Sequence, residues 1–303
     1  MLRGCVFLSA LVCLTLAGCT RMPGTGVTVL KPATVNELQG YLLNHKADLE
    51  QFRLRGPFAV EVQKDHEMRL PTGERINTDF YSSAPPEKAP LVIFLHGYAS
   101  SKEAHAYQAM HLASWGMHCL ILQLSKTGPW TSNGKTLAKV VELLHRRPET
   151  IDSRIDVKKI ILVGHSFGGS SVMIALAEGA PATGAILLDP AAVGRDLPAY
   201  LTKINTPVML LGADENVSET RNRSYFYRYV RSGIAEVSIK DATHEDAQYP
   251  SDFAQTTEEL QITFVSALTA AALSLASTGK LDYAWDSFGD AFRNGKLLNA
   301  KKK

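Results

Sequence analysis

Ser166 stands at the centre of Gly164-His165-Ser166-Phe167-Gly168-Gly169, after the apolar run Ile160-Ile161-Leu162-Val163 and before a stretch of small, helix-compatible residues. A G-x-S-x-G turn between a strand and a helix exposes a serine hydroxyl as a nucleophile. Such a turn is sharp enough to strain the serine backbone, and Gly164 and Gly168 keep side chains out of its way. It sets Oγ at a helix N-terminus, where the Phe167 backbone N–H and the positive helix end face a developing oxyanion.

A serine hydroxyl is a weak nucleophile and needs a general base. His244 is the only histidine after Ser166, in Asp241-Ala242-Thr243-His244, just past the last expected strand. His96 and His165 belong to glycine turns and read as structural. Two positions compete for the acid that would orient the imidazole and stabilise the imidazolium. Asp189 ends the strand Ala185-Ile186-Leu187-Leu188, and Asp214, with Glu215, follows Leu211-Gly212-Ala213. A second oxyanion donor is expected after the first parallel strand, at the backbone N–H of Tyr98 in Leu95-His96-Gly97-Tyr98.

The elements that must hold these residues follow a regular rhythm. Val35–Phe52 has helical spacing, and Phe58–Val62 and Ile76–Tyr81 alternate as strands. Leu91–Leu95 is continuously apolar, as in a strand buried on both faces. After it come helix Glu103–Trp115, strand Met117–Leu124, helix Leu137–Arg147, strand Lys159–Val163 and helix Phe167–Glu178. Strands Ala185–Leu188 and Val208–Leu211, helix Thr220–Arg231, strand Glu236–Ile239 and a long helix from about Asp252 to Ala276 complete the series. This alternation predicts an α/β fold with a doubly wound, mostly parallel sheet. Only 17 residues separate Asp189 from Pro207, too few for a large cap domain, so an open cleft is expected with Trp130 at its rim.

The 303 residues, 45% hydrophobic, suffice for one sizeable core, and a net charge of +2 gives no field for nucleic acid. Residues 34–295 read as one domain, and the lysine-rich 296–303 as a solvated basic tail. Arg3 followed by the mostly apolar 14-residue run Cys5–Gly18 suits a signal peptide over 1–18, and the run is too short to span a bilayer. Leu16-Ala17-Gly18-Cys19 resembles the lipobox of bacterial lipoproteins, which implies cleavage before Cys19 and acylation of that residue, palmitate included. Residues 19–33 then form a Pro/Gly/Thr-rich tether. Thr20 after the cysteine resembles the sorting pattern for an outer-membrane address in the bacterial cell envelope. With Cys5 and Cys13 removed and Cys19 acylated, Cys119 is left as a small buried hydrophobe with no disulfide partner.

From Leu91 to about Pro250 the sequence resembles the platelet-activating-factor acetylhydrolase branch of the α/β-hydrolases, which are calcium-independent phospholipases A2. The shared features are Phe94-Leu95-His96-Gly97, Gly164-His165-Ser166-Phe167-Gly168-Gly169, Leu188-Asp189 and Thr243-His244, with gaps of 23 residues from Ser166 to Asp189 and 78 to His244. This resemblance implies the α/β-hydrolase fold and favours Asp189 as the acid. A second resemblance, through Gly97-Tyr98 and the serine turn, is to bacterial cutinases and polyester hydrolases. In that group the acid follows the later strand, where this sequence has Asn216 or, after a small shift, Asp214. The expectation is a serine carboxylic-ester hydrolase acting on small-molecule or lipid esters, phospholipid or short-acyl lipids among them. It would meet the membrane through its lipid anchor, and no metal or organic cofactor is implied. An acyltransferase or peptidase on the same residues, or a catalytically idle envelope lipoprotein, are the alternatives.

Overall fold

The computed structural model describes residues 34–45, 48–84, 87–217, 223–251, 253 and 255–303, together with the main chain of 20–21 and 28–29. The expected signal peptide and Cys19 lie outside the described residues, as does most of the tether.

One nine-stranded sheet organises the described residues. Its strands are β1 (Val60–Arg69), β2 (Arg75–Ser83), β3 (Ala89–Leu95), β4 (His118–Gln123), β5 (Ile155–His165), β6 (Gly184–Leu188), β7 (Val208–Gly212), β8 (Ile234–Ile239) and β9 (Leu297–Lys302). Their spatial order is β9-β8-β7-β6-β5-β3-β4-β2-β1. The run from β4 to β8 is parallel, while β1, β2 and β9 are antiparallel to their neighbours. The chain leaves β3 for β4 on one side and returns to β5 on the other, so the crevice opens at the C-terminal ends of β3 and β5.

The two-residue side-chain period of a strand explains the layers. On β3, Val92 and Phe94 face one core while Leu91, Ile93 and Leu95 face the other. The first core is covered by α1 (Val35–Asn44), α2 (Ala106–Ser114), α7 (Glu258–Thr278) and α8 (Asp282–Ser287), with α9 (Gly289–Arg293) beside them. The second is covered by α3 (Trp130–Arg146), α4 (Phe167–Ala177), α5 (Leu197–Leu201) and α6 (Arg223–Tyr229). α7 is long and apolar enough to cross a bilayer, but most of its residues are buried against the sheet. It starts at Glu258, later than the sequence suggests, because the Thr257 hydroxyl caps it and the Thr257 N–H donates to Asp246. Cys119 lies fully buried on β4 as a free thiol, and burial pushes its pKa up.

The C-terminus differs from expectation. Residues 297–302 are no solvated tail but the edge strand β9, paired with β8 and seating Leu297 in the core. Lys301 reaches the buried Glu236 carboxylate at 3.1 Å, while the other lysines keep the edge charged. Between Asp189 and Pro207 the only helix is α5, five residues long, and no large cap covers the crevice among the described residues.

Candidate active site

β5 runs straight into α4 through Ser166, whose backbone takes φ 53° and ψ −125°. That conformation costs a side-chain-bearing residue about 1–3 kcal/mol and needs support from its surroundings. Support comes from the Ser166 N–H, which donates to the Leu188 carbonyl (3.1 Å), and from its own carbonyl, which accepts from Gly169 and Ala191 (both 3.0 Å). A methyl group at Gly164 would lie 2.5 Å from the Gly168 carbonyl oxygen, so the turn closes only without side chains there.

Asp189, the next residue after β6, is fully buried with φ 36°. Its N–H donates to the Leu211 carbonyl (2.7 Å), which draws it towards β7. Its Oδ1 accepts from the Ala213 N–H (2.9 Å) and its Oδ2 takes the His244 Nδ1–H at 2.6 Å. Burial works against its ionisation, but the hydrogen bond and charge of His244, the charge of Arg223 and the Ala213 N–H hold its pKa below the usual carboxylate value.

His244 opens the short turn His244–Ala247 just after β8. The buried Asp246 fixes that turn, because its Oδ2 accepts from both the N–H and the hydroxyl of Thr243 (each 2.8 Å). The His165 ring packs on the His244 ring at 4.6 Å between centroids, and His165 Nε2 donates to the His244 carbonyl (3.2 Å). Burial, then the neighbouring His244, push the His165 pKa well below its ordinary value, so it is a neutral prop behind the base. His96 is likewise buried and depressed in pKa, hydrogen-bonded to Gly97, Leu124 and Gln123. Both histidines bond to the main chain, His96 to Gly97 and Leu124 and His165 to His244.

Tyr98 lies in the loop after β3. That loop approaches so closely that a methyl at Gly97 would be 2.8 Å from the Ser166 Cβ. The Tyr98 ring is exposed and meets Phe167 edge-on at 6.3 Å, while Phe167 is the first residue of α4. Among the described residues no acceptor takes the backbone N–H of either. The loop is anchored from below by the buried Lys102, whose ammonium contacts Asp79 (2.7 Å), Asp65 (3.0 Å) and Glu103 (3.0 Å). It is tied to the histidine turn by Ser100, which donates to Gln248 (2.7 Å), and by Gln248, which donates to Glu245 (2.5 Å).

Tyr98, His165, Ser166, His244 and Glu245 line one cleft of about 290 Å³, with Phe253 on its edge. A larger hollow of about 470 Å³ lies between α3 and the α4–β6 turn, away from these residues. A model of the alpha/beta hydrolase family matches residues 92–292, which takes in the serine turn, both strand ends and the histidine turn. The chain belongs to the alpha/beta hydrolase family. Cutinase 1 of Thermobifida cellulosilytica is 22% identical over 202 residues, covering 65% of this chain and 75% of the cutinase. That match bears on the second of the two resemblances read from the sequence.

In this alpha/beta hydrolase the carboxylate that meets His244 comes from the end of β6. Asp214 does not face His244: its Oδ2 accepts from the Asp241 N–H and its Oδ1 from the Asn216 N–H (both 2.9 Å), so it pins two loops together. Asn216 is spent on Asp214 as well. Trp130 is not at the rim but buried at the start of α3, its ring tilted against that of Phe167 at 5.4 Å between centroids. The supporting roles of Asp246, Lys102 and Arg223 were not read from the sequence. Only Asp246 left a signal there, as the fourth residue of the capping pattern Thr243-x-x-Asp246.

Proposed function

We propose that this alpha/beta hydrolase cleaves carboxylic esters through an acyl-enzyme on Ser166. The observation that carries the reading is the 2.6 Å Asp189–His244 hydrogen bond beside a strained serine in the same cleft. With Nδ1–H committed to Asp189, the other ring nitrogen of His244, Nε2, is the basic one. It takes the hydroxyl proton as Oγ attacks the ester carbonyl, and Asp189 stabilises the imidazolium that forms. The N–H groups of Tyr98 and Phe167 receive the oxyanion, where each donor is worth roughly 10²–10³ in rate. His244 returns the proton to the leaving alcohol and then activates the water that releases the acid.

The likeness to a cutinase supports an ester substrate. The uncapped cleft and the exposed Tyr98 and Phe253 beside it suit an apolar acyl or polyester segment, or a lipid ester presented at a surface. The lipobox-like Leu16-Ala17-Gly18-Cys19 supports acylation at Cys19 and residence at the bacterial envelope, in the outer membrane.

A fluorophosphonate probe tests the mechanism on the intact chain. Wild type should label at Ser166 and lose labelling together with p-nitrophenyl ester turnover in Ser166→Ala. Unlabelled wild type, or equal labelling of the variant, would sink the proposal.

A further inference from the structure

The largest fully buried side chain described in this protein is an arginine. Arg223 opens α6 and has no solvent exposure. Its Nη1 donates to the Ser238 hydroxyl on β8 at 2.7 Å. Its Nε lies 3.4 Å from Asp189 Oδ1, and its Nη2 lies 3.5 Å from Glu215 Oε1. Room for it comes from the end of β7, since a methyl at Gly212 would sit 1.7 Å from Nη1.

Two features argue that this guanidinium is not there for stability. A buried charge costs several kcal/mol to desolvate, and apolar residues of similar volume usually serve a core at least as well. Arg223 also fails to recover that cost fully, because neither Nε nor Nη2 makes a hydrogen bond of good geometry among the described residues. What it does is put a positive charge beside one oxygen of Asp189 while His244 holds the other.

We propose that Arg223 is a positioning residue of the triad, fixing Asp189 and offsetting part of its charge where it faces His244. A buried carboxylate facing an imidazole with no counter-charge binds a proton into the pair too firmly, which removes the base at the pH where it must work. The guanidinium weakens that hold. Charged and titratable groups among the described residues face the assembly from several elements. His165 and Glu245 stand beside His244, while Asp214, Glu215 and Glu236 stand around Arg223, with Lys301 beyond Glu236. Arg223 stands against Asp189 Oδ1 and supplies part of the offset.

The inference rests on the ester-hydrolase reading, and the pH profile of kcat/KM on a p-nitrophenyl ester tests it. Removing a positive charge raises every proton affinity around it. Arg223→Gln should therefore move the acid limb up by about one pH unit and lower kcat, with KM within about twofold of wild type. Arg223→Lys should bring the limb back towards wild type. If Arg223→Gln does not fold, Ser238→Ala removes the Nη1 anchor, along with a long contact to Asn299, and should move the limb the same way by a smaller step. A limb that stays put in a folded Arg223→Gln, or in Ser238→Ala where that is the variant read, overturns the inference while wild-type turnover leaves the ester-hydrolase reading intact. Wild type that neither hydrolyses the ester nor labels with a fluorophosphonate overturns both.

Discussion

Asp189 holds His244 from the end of β6, at 2.6 Å, although the later strand end carries a carboxylate of its own in Asp214. The two aspartates are separated by what they accept. Asp189 takes the Ala213 N–H on one oxygen, with Arg223 beside it, and turns the other oxygen to the imidazole N–H. Asp214 spends both oxygens on loop amides.

This division predicts opposite outcomes for two matched substitutions. Asp189→Asn should lower kcat by roughly 10⁴ with the fold retained, because the amide no longer holds the imidazole in its working tautomer. Asp214→Asn should leave turnover within about threefold but cost about 1–2 kcal/mol, as one of its amide hydrogen bonds is lost. Ester kinetics and urea unfolding of both variants check it; full activity in Asp189→Asn would move the acid elsewhere.

The loop that carries Tyr98 depends on a buried ion pair. Lys102 raises no doubt about its state: burial opposes its charge, but Asp79, Asp65 and Glu103 outweigh that and push its pKa up. The fully buried Asp79 is held below its ordinary value by Lys102 and Lys64 against the same penalty. A depressed aspartate adds stability only above its unfolded value of about 3.9, and that stability is lost as the pH falls through the folded value. A raised lysine adds stability below about 10.4 and loses it as the pH rises through its folded value. Lys102→Met should therefore destabilise the protein by about 3 kcal/mol at pH 7, since Asp79 is left partly uncompensated. It should also lose less stability than wild type between pH 7 and pH 3. Denaturation curves at the two pH values read both effects; equal acid sensitivity would refute the pairing argument.

Legibility in the sequence followed burial. β3, β6 and β5 from Ile160 onward are apolar on both faces, and their positions, with the serine turn and histidine turn, could be read directly, whereas the polar start of β5 at Ile155–Lys159 could not. β1 could not be read beyond Val62, because Glu61 to Glu67 are exposed on both sides of an edge and show no alternation. The start of α3 was missed by seven residues for a related reason. Gly134 looks like a helix breaker in isolation, yet a methyl there would collide with Ile174 of α4, so close helix packing and not local propensity placed it. The choice between Asp189 and Asp214 is set by which hydrogen bonds each one meets across β7 and β8. No spacing along the chain encodes that, and Arg223 was hidden for the same reason.

Membrane attachment can be tested apart from catalysis. Cys19→Ser should shift the protein from the membrane fraction to the soluble fraction of a bacterial host while its kcat on a soluble ester is unchanged. Each acyl CH₂ buried in the bilayer contributes about 0.8 kcal/mol, so losing several chains abolishes stable anchoring. Retention of the variant on membranes would show that something other than Cys19 holds it.

The last strand supplies the strongest contrast between a solvated tail and a structural edge. Ending the chain after Gly295 removes Leu297 from the core, strips β8 of its antiparallel partner and takes Lys301 away from Glu236. Glu236 is fully buried, and burial already raises its pKa against the pull of Lys301 and Arg223. Removing the buried Leu297 costs about 3 kcal/mol, and the loss of the partly exposed Lys301 adds less. With roughly 2–4 °C per kcal/mol for a protein of this size, the melting temperature should fall by at least about 6 °C. Lys301→Met in the full-length chain should produce part of that fall, and adding Glu236→Gln should recover some of it by removing the stranded charge. A truncated protein that melts with wild type would mean that residues 297–302 only meet solvent. A single variant as stable as wild type would mean that the pairing with β8, not the Lys301 charge, holds the edge.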